Sequence, residues 1–312
     1  MDKHLTNIQR IINKAKKWGL KVEKIPWKKE VVVISKGKKS CYFYGSSLPL
    51  NNVVAVRLTK YKNLTKWILK KLNVPTPKGF FCQSFEEARE IIKKGEINYP
   101  VVVKPNESAL GKMVFAEIKN EEELKRAIKI IKENYQDFLL EEYVAGDDFR
   151  LLVLDGRVVA VCKRIPPFVI GDGVSSLSKL IEKFNEKREK KLVLDEEVLR
   201  NLKKQKVGLN SVIPEGQKII LRRNANVFTG GLVEDYTEKT ALFFKKVAVK
   251  IVKELGLRIG GVDIITPDIT KKSKNYWVTE VNGLPSFDIH EEPNKGKTRD
   301  ITSLILKAVF KK

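Results

Sequence analysis

The sequence predicts an α+β fold, in which helices and antiparallel strands are mixed instead of alternating as βαβ units. Two hairpins carry most of this prediction. Val31–Ile34 and Cys41–Tyr44 flank a Lys-Gly-Lys turn. Arg150–Leu154 and Val158–Lys163 are joined by Asp155-Gly156, a strong two-residue hairpin signal. Around these hairpins, apolar residues recur at helical spacing, so the chain is expected to combine antiparallel sheets with packed helices.

The chain has 312 residues, of which 42% are hydrophobic, enough for one large domain or for two or three lobes that share a cleft. Met1–Lys17 is charged throughout and lacks the apolar core of a signal peptide. No apolar run is long enough to span a membrane, and no membrane partner is expected. Cys41, Cys82 and Cys162 are odd in number, far apart and without Cys-x-x-Cys spacing, so neither a disulfide framework nor a zinc site is indicated. We therefore expect a cytoplasmic protein.

The formal net charge of +23 has two interpretations. An anionic partner such as a nucleic acid, a nucleotide or a polyanionic substrate would use it. A lysine-rich composition of the kind found in some thermophiles would need no such partner, and the even spread of lysines favours this second interpretation. Nucleic acid is not expected as a partner, because the chain has no nucleic-acid motif and no stripe of alternating aromatic and basic residues.

Residues 1–58 are expected to form a small N-terminal α+β lobe. Leu5, Ile8, Ile12 and Ala15 lie at helical spacing and predict a basic amphipathic helix that ends near Gly19. The first hairpin follows this helix. No residue of the lobe indicates chemistry, so the sequence does not suggest what the lobe does.

The larger domain is expected to cover residues 59–312. A helical pattern from Leu64 to Leu72 stops at Val74-Pro75-Thr76-Pro77, because a residue before proline is pushed to extended geometry. Ser84 and Glu87 form a capping box that opens the next helix. The elements expected after it are the strands Val101–Lys104, Met113–Ile118 and Phe138–Glu142, with a helix capped by Asn120 before the last of them.

From residue 145 onward the pattern remains mixed. Gly171-Asp172-Gly173 is a tight turn before a helix capped by Ser176, and Leu192–Val207 is a charged helical stretch. Thr237 is expected to cap a helix that Gly256 closes. The remaining predicted elements are the strands Lys218–Leu221, Gly261–Thr266 and Trp277–Val281 and the helix Asp300–Phe310.

Three oxygen-bearing side chains lie on the last two predicted strands. Asp263 interrupts an apolar run, where an unpaired charge would be costly. Together with Glu280 and Asn282 it offers two carboxylates and an amide oxygen, a set that suits Mg2+. A buried hydrogen-bonded network without metal is the alternative. We favour the metal because the three residues on adjacent strands then have one common explanation.

The remaining candidates for chemistry are weaker when taken singly. Lys104 ends an apolar strand and precedes Ser108, Ala109 and Gly111, so the loop could cover phosphates with backbone N–H groups. A solvated lysine at a strand edge is the alternative. Glu141–Val144 could offer carboxylates and strand backbone to a purine and its ribose.

Arg222 and Asn226 flank a stretch that ends in Thr229-Gly230-Gly231. An arginine there could stabilise charge on a transferred phosphoryl group or on a tetrahedral oxyanion. A surface salt bridge is the alternative interpretation.

Taken together, these segments resemble the ATP-grasp superfamily, and most closely the ATP-grasp domain of cyanophycin synthetases and related amino-acid ligases. The resemblance runs from Lys62 to the end of the chain, with the segments in the family's order. The matching segments are Lys62–Lys66, Val101–Pro105, Glu141–Val144, Gly146–Arg150, Val169–Gly173, Leu221–Asn226, Thr229–Gly231, Gly261–Ile265 and Glu280–Asn282.

The resemblance implies an ATP-grasp fold, with two α+β lobes enclosing ATP beside the small N-terminal lobe. Residues from about 74 to 144 would form the nucleotide-covering lobe, and residues from about 145 to 312 the metal and substrate lobe. The implied partners are ATP, a small carboxylate and an amine. The implied cofactor ion is Mg2+, with Mn2+ as its substitute.

The roles implied by the resemblance fall on residues already described. Lys62 and Lys104 would contact the phosphates, and Asp148 would lie near the ribose. Arg222 would act at the reacting carbonyl, so that Arg222 and Lys104 are the catalytic candidates. The implied adenine-binding residues are Glu141, Glu142, Tyr143 and Val144. The implied metal ligands are Asp263, Glu280 and Asn282.

Several positions differ from the sequence that is usual in this family. Leu110 and Met113 replace glycines in the phosphate loop, and Phe168 replaces a histidine that is usual in cyanophycin synthetases. Gly283–Ser286 replaces Ala-Ala-Pro-Gly. The metal and phosphate positions are kept, whereas these changes lie nearer the acceptor side. No Mur-ligase-like domain is present in the sequence, so cyanophycin synthesis itself is not expected.

The leading hypothesis is an ATP-dependent carboxylate–amine ligase that forms an amide or peptide bond through an acyl phosphate. A glutathione-synthetase-like or glutamate-tailing ligase is the alternative within the enzymes. A basic nucleic-acid-binding protein is the alternative of another class. The sequence does not identify the two substrates, and it leaves a homo-oligomer open.

Overall fold

A computed structural model describes residues 5–107, 113–186, 188, 191–225 and 227–311, with only the backbone of Phe228. The helices are α1 (Asn7–Lys17), α2 (Val53–Lys60), α3 (Lys62–Lys71), α4 (Phe85–Lys93), α5 (Glu121–Lys132), α6 (Leu177–Glu186), α7 (Glu196–Lys204), α8 (Leu242–Glu254), α9 (Asp288–Glu291) and α10 (Ile301–Phe310).

The strands are β1 (Lys21–Lys24), β2 (Val31–Lys36), β3 (Lys39–Tyr44), β4 (Gly79–Cys82), β5 (Val101–Pro105), β6 (Phe115–Ile118), β7 (Phe138–Glu142), β8 (Asp147–Leu154), β9 (Arg157–Ile165), β10 (Phe168–Ile170), β11 (Lys218–Ile220), β12 (Leu232–Asp235), β13 (Ile259–Thr266) and β14 (Trp277–Asn282). The helices and antiparallel sheets together confirm the predicted α+β class.

The chain divides into two compact units, each built from separate segments. The first unit comprises Met1–Thr76, Ala145–Lys163 and Val233–Lys312. The second unit comprises Pro77–Val144 and Arg164–Leu232.

The first unit contains two sheets. The N-terminal sheet has the antiparallel order β1-β2-β3, and the larger sheet has the order β12-β9-β8-β13-β14. Ile11, Ile34 and Phe43 share a core with Phe287 and Ile305, so the N-terminal elements pack on the last helix. A second core joins α8 to the larger sheet, since Phe244 and Ile251 pack with the strand residues Phe149, Val262 and Val278. This core fixes the strands on which the metal ligands were predicted.

The second unit also contains two sheets. The four-stranded sheet has the order β4-β7-β5-β6, and α4 and α5 cover it through residues such as Ala88, Leu124 and Ile128. The two-stranded sheet pairs β10 with β11 and packs on α6 and α7 through Leu180, Leu202 and other apolar residues. Each apolar helix face thus has a sheet to cover it.

Several local predictions are confirmed. Asp155 and Gly156 have φ angles of 46° and 76°, the left-handed conformation that a tight two-residue hairpin needs. The side chains of Asn120 and Ser84 accept hydrogen bonds from the third residue after each of them, as predicted caps should. Gly256 follows Leu255, the C-cap residue of α8, and has a φ angle of 70°, which is the conformation expected of a helix-closing glycine.

The predicted cap at Thr237 is wrong, because α8 begins five residues later at Leu242. The hydroxyl of Thr237 instead donates to Asp235, 2.6 Å away, and accepts from the Val161 N–H at 3.0 Å. A threonine that can bond a nearby carboxylate and a neighbouring strand does not need to open a helix. Among the described residues, no helix is both long and apolar enough to cross a lipid bilayer.

Arg299 ties the C-terminal segment to β12 in the first unit. Its guanidinium donates to both carboxylate oxygens of Asp235 and also pairs with Glu238. Burial alone would raise the pKa of Asp235, but the hydrogen bonds from Arg299 and Thr237 outweigh burial and lower it below its ordinary value. The ionised carboxylate therefore stabilises the fold.

Arg299→Ala should lower the free energy of unfolding at neutral pH by about 2 kcal/mol, since Asp235 loses a charged donor. A depressed folded-state pKa contributes stability above the unfolded pKa of about 3.9, and this contribution is lost as the pH falls through the folded value. The deficit of the variant, measured by urea unfolding, should therefore shrink in acid. The exposed Arg157→Ala is the matched control; a deficit that is constant with pH would contradict the assignment.

Candidate nucleotide and metal site

In the second unit, Lys104 and Glu141 form a buried ion pair. Glu141 on β7 faces Val102 on β5, and Lys104 is two residues further along β5 on the same face. The Lys104 Nζ lies 2.7 Å from the Glu141 Oε2, and the residues are only 7% and 2% exposed. Burying both charges is costly unless further polar groups are nearby, so this pair marks a polar position inside the sheet.

Backbone hydrogen bonds to neighbouring segments hold the end of β7 in place. The Glu142 N–H donates to the Lys78 carbonyl at 2.9 Å, and the Tyr143 N–H donates to the Pro100 carbonyl at 3.1 Å. The Glu142 carboxylate accepts from the Lys78 N–H at 2.6 Å. No described residue accepts a hydrogen bond from the N–H of the half-buried Val144. This stretch can therefore present one backbone donor to a planar ligand.

Arg222 lies in a buried cluster at the start of α7. Its Nη1 donates to the Glu197 carboxylate at 2.6 Å, its Nη2 donates to Asp195, and the residue is only 5% exposed. Burial raises the pKa of Glu197 above its ordinary value, and the Arg222 charge offsets part of that rise. The Arg222 Nε is buried and has no hydrogen-bond partner in the described part of the chain. The salt bridge considered for Arg222 is thus buried at Arg222 and Glu197, whereas the Asp195 side chain is 45% exposed.

In the first unit, β-sheet register places three charged residues in one row. Arg150 on β8 faces Asp263 on β13, and Asp263 faces Glu280 on β14. Cross-strand partners project from the same face of a sheet. Arg150 donates from Nε and Nη2 to both oxygens of Asp263, the Nη2 contact being 2.9 Å. An added Cβ at Gly261 would lie 2.9 Å from the Arg150 Cδ, so glycine leaves room for this side chain.

The prediction that Asp263 is an unpaired charge, and therefore needs a metal ion to neutralise it, is wrong. Arg150 already neutralises the buried carboxylate. The missed signal was an arginine inside the apolar strand from Phe149 to Leu154, at the position that the antiparallel register sets opposite Asp263. The role of Asp263 as a metal ligand stays a prediction.

Glu280 and Asn282 extend the row. Since they are two residues apart on β14, their side chains project from the same face as Asp263. The Glu280 side chain is 30% exposed, and its Oε1 lies 3.8 Å from the Lys62 Nζ, beyond hydrogen-bonding distance. The buried Asn282 Nδ2 has no hydrogen-bond partner among the residues that the structure describes. Asp148 is two residues before Arg150 on β8 and therefore also projects from this face.

The donor set fits a divalent cation. Asp263 and Glu280 offer carboxylate oxygens and Asn282 an amide oxygen on one face of the sheet, and the Glu280 side chain is 30% exposed. A hard ion accepts such carboxylate and amide oxygens. The described ranges contain no group of three or more His, Cys, Asp or Glu residues that could hold a metal, so any ion here needs the Asn282 amide or other ligands.

The structure thus brings the predicted residues together in separate groups. In the second unit, Lys104 and Glu141 meet beside the Glu142–Val144 strand end, while Arg222 lies in its own cluster. Sequence reasoning missed the acidic partners of Arg222, which come 25 and 27 residues earlier in the chain. The predicted loop residues Ser108, Ala109 and Gly111 lie outside the described residues, as does Asn226.

Arg150→Met should lower the free energy of unfolding by about 3–5 kcal/mol, because it leaves the buried Asp263 carboxylate without its cation. Asp263→Asn in the same chain should restore much of this loss. Chemical denaturation in a buffer with a metal chelator measures both variants without a contribution from bound metal. A single variant as stable as the wild type, or a double variant that is no better than Arg150→Met, would show that the pair is not what neutralises Asp263.

Comparison with known proteins shows similarity to ATP-grasp proteins. Residues 59–168 match the model of the RimK-like ATP-grasp domain. A cyanophycin synthetase of Synechocystis sp. is 30% identical over 304 residues, covering 92% of this chain and 35% of the relative. The glutathione biosynthesis bifunctional protein GshAB of Clostridium perfringens is 30% identical over 316 residues, covering 97% of this chain and 40% of the relative.

The crystal structure of a bifunctional glutathione synthetase from Pasteurella multocida superimposes with a TM-score of 0.68 at 26% identity, covering 97% of this chain and 44% of that one. The chain therefore spans well under two thirds of the relatives that it matches. The predicted ATP-grasp fold is confirmed. The chain belongs to the ATP-grasp superfamily.

Proposed function

We propose that this chain is an ATP-dependent carboxylate–amine ligase that forms an amide or peptide bond with an amino-acid or peptide substrate. The observation that carries the proposal is the row on β13 and β14, where Asp263, Glu280 and Asn282 project from one face beside Arg150. The similarity to a cyanophycin synthetase and to a glutathione biosynthesis protein supports the same reaction class.

The reaction runs in two balanced steps. A carboxylate oxygen of the substrate attacks the γ-phosphorus of ATP, the bond from that phosphorus to the β–γ bridging oxygen breaks, and ADP leaves. The amine nitrogen then attacks the carbonyl carbon of the acyl phosphate, the C–O bond breaks, and inorganic phosphate leaves. The proton of the amine passes to solvent. Holding the two reactants in line supplies much of the rate enhancement.

Lysine side chains would bind the phosphates. We assign this role to Lys104, held beside Glu141 at 2.7 Å, and to Lys62, whose ammonium lies near Glu280. Asp263, Glu280 and Asn282 would hold Mg2+ or Mn2+, which supplies charge neutralisation on the transferring phosphoryl group. A lysine acts on phosphate as a point charge, so its position matters more than its exact orientation.

The end of β7 would bind the nucleotide base and sugar. Glu142 and Tyr143 fix the strand end, where we also assign Glu141 to the nucleotide, and the Val144 N–H would donate to the adenine edge. We assign the ribose to Asp148.

Arg222 would act at the reacting carbonyl. Its two terminal nitrogens donate to Glu197 and Asp195, and its buried Nε–H, which has no hydrogen-bond partner in the described part of the chain, would donate to a developing oxyanion. A donor that is already fixed in place does not have to reorganise during the reaction.

A glutathione-synthetase-like acceptor is the second candidate within this reaction class. It is favoured by the TM-score of 0.68 with the Pasteurella multocida enzyme over 97% of this chain. We also propose a cytoplasmic location, because Cys41, Cys82 and Cys162 are all thiols.

The proposed reaction is tested by a phosphate-release screen over pairs of amino acids and short peptides with Mg-ATP. Stoichiometric ADP and a new amide, identified by mass spectrometry, would establish the reaction class and the substrates together. Tight, steeply salt-dependent binding to DNA or RNA without any ligase activity would instead favour the nucleic-acid alternative.

Asp263→Asn and Glu280→Gln should each lower amine-dependent ADP release by about 100-fold to 1000-fold, because the charge on the transferring phosphoryl group loses its neutralisation. The exposed carboxylate Glu254 provides a matched control, and Glu254→Gln should keep the wild-type rate. Circular dichroism confirms that each variant is folded. Near-normal rates in both site variants would contradict the metal assignment.

Val144→Pro removes the proposed adenine donor, since proline has no N–H. The KM for ATP should rise about tenfold, the effect of losing one well-formed hydrogen bond. Val144→Ala keeps the N–H and should leave the KM unchanged. Equal KM values for the two variants would show that the Val144 backbone does not contact the nucleotide.

A further inference from the structure

Helix α7 connects Arg222 to the four-stranded sheet within the second unit. The helix is only nine residues long, with acidic side chains at its start and basic side chains further along. Each group bonds to a different part of the unit. Asp195 and Glu197 hold the Arg222 guanidinium, while Arg200 and Lys204 reach β6 and α5.

The C-terminal half of α7 also fixes the strand that leads to Arg222. The Gln205 side chain accepts from the Ile220 N–H at 3.1 Å and donates to the Ile220 carbonyl at 2.7 Å. Asn201 donates to the same carbonyl. The end of β11 is therefore tied to α7 by side chains, and Arg222 follows two residues later with both terminal nitrogens engaged.

Basic side chains of α7 form hydrogen bonds with the edge of the four-stranded sheet. The Arg200 Nη1 lies 3.1 Å from the Glu123 carboxylate, and its Nη2 donates to the Ala116 carbonyl at 2.9 Å. The Lys204 Nζ donates to the Glu117 carbonyl at 2.8 Å and to the same Glu123 oxygen at 2.9 Å. Because β6 is the last strand in the order β4-β7-β5-β6, these carbonyls belong to an edge strand that needs outside partners.

Glu123 joins the two basic side chains. It lies in the first turn of α5, is 22% exposed, and accepts from Arg200 and Lys204 through one oxygen. The two bases are 15% and 23% exposed, so solvent screens the contacts less than it screens an open surface pair. Without Glu123, two like charges would remain side by side at the edge of β6.

We propose that Glu123 is a positioning residue for the ligase reaction, which it serves by fixing α7 and thereby placing Arg222 relative to the sheet that carries Lys104. The inference rests on the proposed function, in which Arg222 acts at the carbonyl and Lys104 at the phosphates. A displacement of about 1 Å at a reacting group can lower the rate about 100-fold. Loss of the contacts between Glu123 and α7 should therefore lower kcat. Lys104 and Glu141 lie on β5 and β7, whereas Arg200 and Lys204 bond to β6 and α5. Nucleotide binding should therefore depend much less on the contacts of Glu123 with α7.

Glu123→Gln keeps the size of the side chain and removes its charge. It should lower kcat by about tenfold to 100-fold, while the KM for ATP stays within about threefold of the wild type. Glu122→Gln on the same helix turn is the matched control, because that side chain is 84% exposed and forms an ion pair with Arg126 on its own helix. The control should behave as the wild type.

The decisive comparison is made in an Arg222→Lys background. If Glu123 acts through Arg222, adding Glu123→Gln to Arg222→Lys should lower kcat no further. Fully multiplicative losses, or a Glu123→Gln variant with wild-type kcat, would overturn the proposal. A purely structural role would lower the melting temperature without this dependence on Arg222.

A second readout does not require activity. The 15N–1H signal of the Arg222 Nε group, identified by its loss in Arg222→Lys, should shift or broaden in Glu123→Gln and remain unchanged in Glu122→Gln. An unchanged Arg222 signal in both Glu123→Gln and Glu122→Gln would overturn the proposal that Glu123 positions Arg222, even if the protein is a ligase. A shifted signal in a protein that shows no ligase activity would instead contradict the proposed function and leave the coupling of α7 to Arg222 established.

Discussion

The pairing of Arg150 with Asp263 is the interaction on which the larger sheet of the first unit depends. The two side chains are buried on adjacent central strands, and removing either would leave a charge without compensation. The pair fixes the register of β8 against β13, since a slip of one residue would put the two side chains on opposite faces of the sheet. The same register then sets Glu280 and Asn282 beside Asp263 on β14.

Buried charge is handled in the same way in the second unit. Lys104 is matched by Glu141, and Arg222 is matched by Asp195 and Glu197. Hydrophobic side chains of similar volume would often be as stable in such places, so paired charges there suggest a use beyond stability. In a ligase that use is to hold cations and donors in fixed positions before an anionic substrate arrives.

Features that depend on neighbouring residues could be predicted from the sequence. The Asp155-Gly156 turn and the Asn120 cap each depend on a few adjacent positions, and both are confirmed. The ATP-grasp fold was also predictable, because the order of its motifs is carried by the chain itself.

Features set by distant partners could not be predicted. The cap assigned to Thr237 is wrong because its hydroxyl bonds to Asp235 and to a neighbouring strand. Arg150 was missed as the partner of Asp263 because 113 residues separate them and only the strand register brings them together. For the same reason, no local pattern indicated that residues at the start of α7 hold Arg222.

The central claim, that a carboxylate is activated as an acyl phosphate, can be tested most directly by following oxygen. The carboxylate substrate found by the phosphate-release screen is labelled with 18O in both oxygens, and the released phosphate is examined by 31P nuclear magnetic resonance. The account predicts that each inorganic phosphate carries one 18O atom taken from the carboxylate. Amide formation with unlabelled phosphate, or with release of AMP, would contradict it.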